Sequence, residues 1–141
     1  MNLNELRDKA YRNAVTHGFH DEELSNEHCL CLVISELMEA VKADRKGRFA
    51  KVPVDKKGTI FDERTFHYQN KYFAENFETY IKDCVEDELA DACIRLLDLA
   101  GLRNISIDDF SGEMIYEATE SCNNETFTES IYAISTIPIR C

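Results

Sequence analysis

Two short acidic phrases carry the side chains best suited to chemistry. One is Ser35-Glu36-Leu37-Met38-Glu39 and the other is Glu88-Leu89-Ala90-Asp91. Each sets two carboxylates three residues apart, inside a run whose apolar residues recur with helical spacing. Residues three apart share a helix face, so each phrase points two oxygens toward one place. Two such helices packed side by side would gather four carboxylates. Like charges about 4 Å apart repel by roughly 1 kcal/mol in water and by about 4 kcal/mol at an effective dielectric of 20. A group of that kind calls for a cation. Neutralising one member, as in Glu36→Gln or Asp91→Asn, is expected to relieve repulsion when the cation is absent.

All-oxygen ligands suit magnesium, which shares its octahedral shell with substrate phosphates. The competing reading is a solvated acidic face, as most charged stripes are. Spacing alone leaves the two even. The setting favours the metal: Glu36 and Glu39 are flanked by Ile34, Leu37, Met38 and Val41, and Glu88 and Asp91 are interleaved with Val85, Leu89 and Ala92. The carboxylates therefore lie near seams expected to be buried. A carboxylate-bridged iron pair would need Glu-x-x-His on helices. Three residues beyond Glu36, Glu39, Glu86, Glu88 and Glu117 stand Glu39, Lys42, Leu89, Asp91 and Glu120, so that chemistry is disfavoured.

The elements that must position these side chains read as helices. A first runs over 3–17, with Asn2 or Asn4 as cap and Gly18 as stop. A second begins at Asp21 or Ser25 and runs to Arg45, with Gly47 closing it. Residues 47–69 form an irregular insertion, broken by Gly47, Pro53 and Gly58, in which Thr59-Ile60-Phe61 could form a short extended piece. From about Asn70 the helical period returns and holds to Gly101, as one helix or as two with a kink near Asp83. Ser106 or Asp108 is expected to cap a further helix over 109–121, and a last one spans 125–137 before Pro138. The expected architecture is all-α: an antiparallel bundle of about four to five helices forming one domain over 1–141.

Composition sets the outer limits. The chain has 141 residues, 44% hydrophobic and 30% charged, with a net charge of -11. That balance fits a globular chain. It argues against broad binding to nucleic acid or to an anionic membrane, which needs a basic footprint. A nucleotide is still compatible, because a divalent metal brings phosphates to an acidic site. No apolar run approaches the ~18 residues of a membrane span. The N-terminus lacks a basic start and an apolar signal core. A cytoplasmic location is expected, and six cysteines without a CxxC fit it as free thiols.

The two phrases in their flanks resemble the MazG-like, all-α nucleoside triphosphate pyrophosphatase superfamily. The resemblance rests on Val33-Ile34-Ser35-Glu36-Leu37-Met38-Glu39-Ala40-Val41 and on the run from Val85 through Glu88-Leu89-Ala90-Asp91 to Gly101. The turn Gly18-Phe19-His20-Asp21-Glu22 is also similar to the aromatic turn before the first acidic helix of that family. In all it covers residues 5–48 and 75–110. It implies hydrolysis of a nucleoside triphosphate between its α and β phosphates, giving monophosphate and pyrophosphate. Glu36, Glu39, Glu88 and Asp91 would then bind Mg2+, or Mn2+ in its place, and one of them or a neighbour would orient or deprotonate the attacking water.

Helical phase makes Lys42, Lys46 and Arg95 candidates for phosphate charge; dipole complementation and surface ion pairing account for them equally well. Phe19 and His20 are candidates for packing on the base, beside a reading as a hydrophobic staple. Asp98 continues the Glu88–Asp91–Arg95 stripe as an outer carboxylate. The resemblance also implies a homodimer or homotetramer. Ser35 stands where many relatives carry another acid, and the tail lacks the Lys-x-x-x-Asn and following Arg that many use near the phosphates. A non-catalytic relative that keeps the bundle and binds a nucleotide or a protein therefore stays open, as does a purely structural acidic bundle.

Overall fold

The computed structural model describes residues 2–55, 58, 59, 71–108 and 112–137. Among them lie six helices: α1 (Leu3–Thr16), α2 (Asn26–Arg45), α3 (Lys71–Tyr80), α4 (Val85–Leu102), α5 (Gly112–Cys122) and α6 (Phe127–Ser135). Two two-residue strands, β1 (Val54–Asp55) and β2 (Gly58–Thr59), pair antiparallel with Val54 opposite Thr59. Among the described residues the regular structure is thus helical apart from this short ladder inside the expected insertion. Ile60, Phe61, the rest of the insertion to residue 69, Asn70, Phe110, Pro138 and Arg140 lie outside the described residues.

The count exceeds the four to five expected because the periodic run from residue 71 splits. Asp83 takes a left-handed conformation, φ 55°, between α3 and α4. Its N–H donates to Asp87 Oδ2 at 2.9 Å, which holds the corner against the first turn of α4.

Local chemistry sets the other boundaries. Asn2 caps α1, its side chain accepting from the Glu5 N–H, and Gly18 turns the chain out of the helix at φ 75°. Asn4 does different work. Its amide donates to Asp108 Oδ2 at 2.6 Å and its Oδ1 accepts from the Ile107 N–H at 2.9 Å, tying the α4–α5 connection to α1. Ser106 and Asp108 therefore face Asn4; the stretch 109–111, where one of them is expected to cap the next helix, lies outside the described residues.

Ser25 caps α2 by accepting from the His28 N–H, so Asp21, Glu22 and Glu23 belong to the connecting turn. At the far end Gly47, φ 64°, closes α2: the Arg48 N–H reaches Ala43 O at 2.9 Å and the Gly47 N–H reaches Asp44 O at 2.8 Å. This is the paired closure that a left-handed glycine permits. Asn104, φ 53°, ends α4 in the same manner, with the Ile105 N–H on Ala100 O.

Gly101 is consequently not the stop that the sequence suggested. It lies inside α4, where a Cβ would come within 2.5 Å of Tyr11 Cβ on α1. Its role is to let two helices approach closely. Thr126 and Glu129 form a reciprocal capping box at the start of α6.

The most extensive packing joins α2 to α4; α1 also packs on α4, α6 on α2, and α5 on α6. Val33, Leu37, Ala92 and Ile131 form the buried centre, with Val41, Leu89 and Phe127 packed on it. Burying a Val, Leu or Ile side chain fully contributes about 1.5–3 kcal/mol, and these residues set α2 and α4 face to face. No described helix is long and apolar enough to cross a membrane.

Candidate acidic site between α2 and α4

The α2–α4 seam brings three of the four expected carboxylates together. Glu36 comes from the middle of α2, and Glu88 and Asp91 from the first two turns of α4. One oxygen from each lies within 4.8 Å of the others. Glu36 and Glu88 are half-buried and Asp91 is exposed. The electrostatics follow from that crowding. Partial desolvation, then the charges of Asp87 and Glu36, push the Asp91 carboxyl above its ordinary range. Desolvation, Asp87, Glu36, Asp91 and Glu39 do the same to Glu88.

Glu39 is the departure. It falls outside the close group, and its Oε2 accepts from Lys42 Nζ at 2.8 Å on an exposed part of α2. Three residues along a helix turn the chain by about 300°, so Glu39 sits roughly 60° off the Glu36 direction and about 4.5 Å further along. On α4 the same spacing leaves one oxygen each of Glu88 and Asp91 within 4.8 Å of the other and of Glu36. The pair also occupies Lys42, whose ammonium is held charged by its bond to Glu39.

Arg95 is redirected too. Its Nε donates to Glu36 Oε1 at 2.6 Å across the seam, so it supplies a counter-charge to the group. No local spacing announces this contact, because the partners are 59 residues apart. Ser35 takes no part: its Oγ donates to Leu32 O of its own helix at 2.7 Å.

Open spaces border the group on both sides. A cavity of about 400 Å³ lies at the α1–α2 turn, lined by Phe19, Leu24, Cys29 and Leu32 with His20, His28, Asp98 and Arg95 on its polar side. A smaller cleft of about 170 Å³, lined by Asn13, Phe19, Arg95, Asp98 and Asp91, continues from this cavity to the acidic group. Beyond Glu88 lies a recess of about 180 Å³, lined by Glu39, Lys42, Ala43, Lys46, Arg48, Asp83 and Glu88. The acidic group thus lines the 170 Å³ cleft by way of Asp91 and the charged recess by way of Glu88.

Phe19 and His20 both reach the larger cavity but in different ways. Phe19 is 62% exposed and stacks on His17. The His20 side chain is 10% exposed and its Nε2 lies 2.7 Å from Asp98 Oδ1. With Asp98 accepting, Nε2 carries a proton, and the buried Nδ1 has no hydrogen-bond partner among the described residues. The ring packs at 5.4 Å from that of Tyr11. Asp98 is thereby occupied by His20.

Sequence reasoning missed the contributions of Leu24, Cys29 and Leu32 to the cavity wall. The pattern of apolar residues along one helix could not show that this end of the bundle stays open. It also missed Arg48, which lies past the end of α2. His28 is exposed at the cavity rim.

Comparison with protein-family models, curated proteins and solved structures finds no match to this chain.

Proposed function

We propose that this chain is a MazG-like antiparallel helix bundle acting in the cytoplasm as a magnesium-dependent nucleoside triphosphate pyrophosphohydrolase, with Mn2+ able to replace Mg2+. The observation that carries the reading is the close group of Glu36, Glu88 and Asp91, flanked by a cavity sized for a small ligand. The donor set fits the metal: it is all carboxylate oxygen, and two of its members have their pKa values pushed up by burial and mutual repulsion. A bound divalent ion would neutralise phosphate charge and lower the pKa of a bound water.

The chain's own residues then have distinct tasks. Glu36, Glu88 and Asp91 hold the cation, and Arg95 fixes the Glu36 carboxylate in place. Glu39, one turn further, acts on Glu88 through its charge and restrains Lys42. Phe19, Leu24 and Leu32 offer apolar surface to a base, with His20 fixed behind them. Water oxygen bonds to the α phosphorus, the bridging bond to the β phosphate breaks, and pyrophosphate leaves with the electron pair. One carboxylate of the group, or a neighbour, orients the water or takes up its proton. The functional unit is a homodimer or homotetramer.

Two observations favour a second reading. Arg95 already supplies a cation to Glu36, and Ser35 adds no carboxylate. A chain with these features would bind a nucleotide or a protein without turning it over. Incubation with a panel of ordinary and modified nucleoside triphosphates in Mg2+ separates the two. Release of pyrophosphate supports the hydrolase; thermal stabilisation by nucleotide without product supports the binding module.

A further inference from the structure

We infer that the recess at the C-terminal end of α2 receives the β and γ phosphates and the pyrophosphate they become, with Lys46 and Arg48 as its cationic contacts. The nucleotide then lies across the seam in one direction, with its base at the α1–α2 turn and its terminal phosphates beyond Glu88. This rests on the hydrolase reading above and adds the direction of binding and a residue, Arg48, that the acidic motifs do not contain.

Shape and charge both set the direction. The space at the Phe19 end is about 400 Å³ and reaches the acidic group through the cleft that Asp91 lines; the recess at the Glu88 end is about 180 Å³. The larger has the apolar wall that a base requires, made by Phe19, Leu24, Cys29 and Leu32. The smaller is lined almost wholly by charged side chains and has room for phosphoryl groups but not for a nucleoside. It shares Glu88 with the acidic group, so a ligand there is continuous with one bound at the carboxylates.

Four cations line these spaces, and their commitments differ. Arg95 is held on Glu36 at 2.6 Å and faces the base end. Lys42 is held on Glu39 at 2.8 Å. Among the described residues Arg48 makes one ion pair, a long 3.5 Å contact with Asp83. Lys46 has no ion pair among the described residues and is exposed at the end of α2. Lys46 and Arg48 are therefore the cations left to meet an anion. Their convergence is built by the backbone: Gly47 between them turns left-handed, and the Arg48 carbonyl accepts from the Val85 N–H at 3.0 Å. That bond pins Arg48 to the first turn of the helix that carries Glu88. The carboxylates of Glu39, Asp83 and Glu88 share the recess, so a phosphate enters there with its accompanying divalent cation.

Product inhibition tests this directly. Pyrophosphate and the nucleoside monophosphate are each titrated into the Mg2+-dependent reaction, and each is also measured by calorimetry with the full chain. Lys46→Gln and Arg48→Gln keep the main-chain bonds of this corner, and their melting temperatures report folding. Each variant is expected to weaken pyrophosphate binding about tenfold or more, the scale of one lost charged hydrogen bond, and to leave monophosphate binding within roughly twofold. Phe19→Ala is expected to do the reverse. Unchanged pyrophosphate binding in both cation variants, or equal weakening of the two products, would overturn the assignment. If the wild-type chain releases no pyrophosphate from any triphosphate, the hydrolase reading itself fails and the inference falls with it.

Discussion

Within the acidic group, Glu36 and Asp91 should respond in opposite ways to neutralisation. Asp91 is crowded by Asp87 and Glu36, and its carboxyl is pushed above the ordinary value near 3.9. A raised carboxyl pKa means that the ionised group opposes folding. That cost is complete above the folded-state pKa and disappears as pH falls through it. The metal-free protein is therefore expected to become relatively more stable as pH falls into the range where these carboxyls protonate, as far as Asp91 and Glu88 are concerned. Asp91→Asn should remove part of that dependence and raise the melting temperature at pH 7 by about 2 °C, the equivalent of roughly 0.5 kcal/mol in a chain of this size.

Glu86 contributes with the opposite sign. The Ala50 N–H holds its carboxyl below the usual range, so its contribution is present at neutral pH and lost as pH falls. Melting curves of wild type and Asp91→Asn across pH isolate the Asp91 share. Glu36→Gln is expected to lower stability by about 1 kcal/mol, because the Arg95 guanidinium loses its ionic acceptor at a part-buried site. The acidic phrases show that carboxylates gather here, but spacing within one helix cannot show that a residue from another helix already balances one of them. The sequence-based expectation that either neutralisation relieves repulsion holds in physical terms only for the residue without a cationic bond.

At the scale of elements, α1, α2 and α4 are the frame on which the site depends. Their existence is legible from the 3.6-residue period and from Asn2, Ser25 and Gly47, whose chemistry ends helices in a predictable way. The interior of α4 was less legible. Glycine near the end of an apolar run reads as a stop, yet Gly101 is there for the approach of Tyr11. Gly to Ala inside a helix ordinarily stabilises by about 0.5–1 kcal/mol. Here Gly101→Ala is expected to destabilise by about 1–3 kcal/mol, since the added methyl must displace Tyr11 or part α1 from α4. Urea denaturation measures it, and a stabilised variant would refute the close-approach account. Asn4 belongs to the same class of hidden role, since its partners Ser106, Ile107 and Asp108 are more than a hundred residues away.

At the scale of the whole molecule, the apolar surface bears on assembly. Ile115, Tyr116, Tyr132 and Ile134 on α5 and α6 are exposed, with Tyr132 at 70% and Tyr116 at 66%. α5 has no buried residue among those described. The proposed homodimer or homotetramer predicts a sedimentation mass at least twice that of the 16.3 kDa chain, and a lower mass for Ile115→Asp or Tyr132→Asp if this face is the contact. The helical period marks these residues as apolar but is silent on whether their cover comes from the same chain or from another.

The central claim is hydrolysis between the α and β phosphates at the Glu36, Glu88 and Asp91 group. The most direct measurement mixes the purified chain with a panel of nucleoside triphosphates in Mg2+ and identifies the products, with Glu88→Gln alongside. The account predicts nucleoside monophosphate and pyrophosphate from at least one member of the panel. It also predicts no turnover when Mg2+ is chelated and a loss of about a hundredfold or more in Glu88→Gln, on the scale of roughly 3 kcal/mol of transition-state stabilisation. Orthophosphate as the product, or full activity in Glu88→Gln, would contradict it.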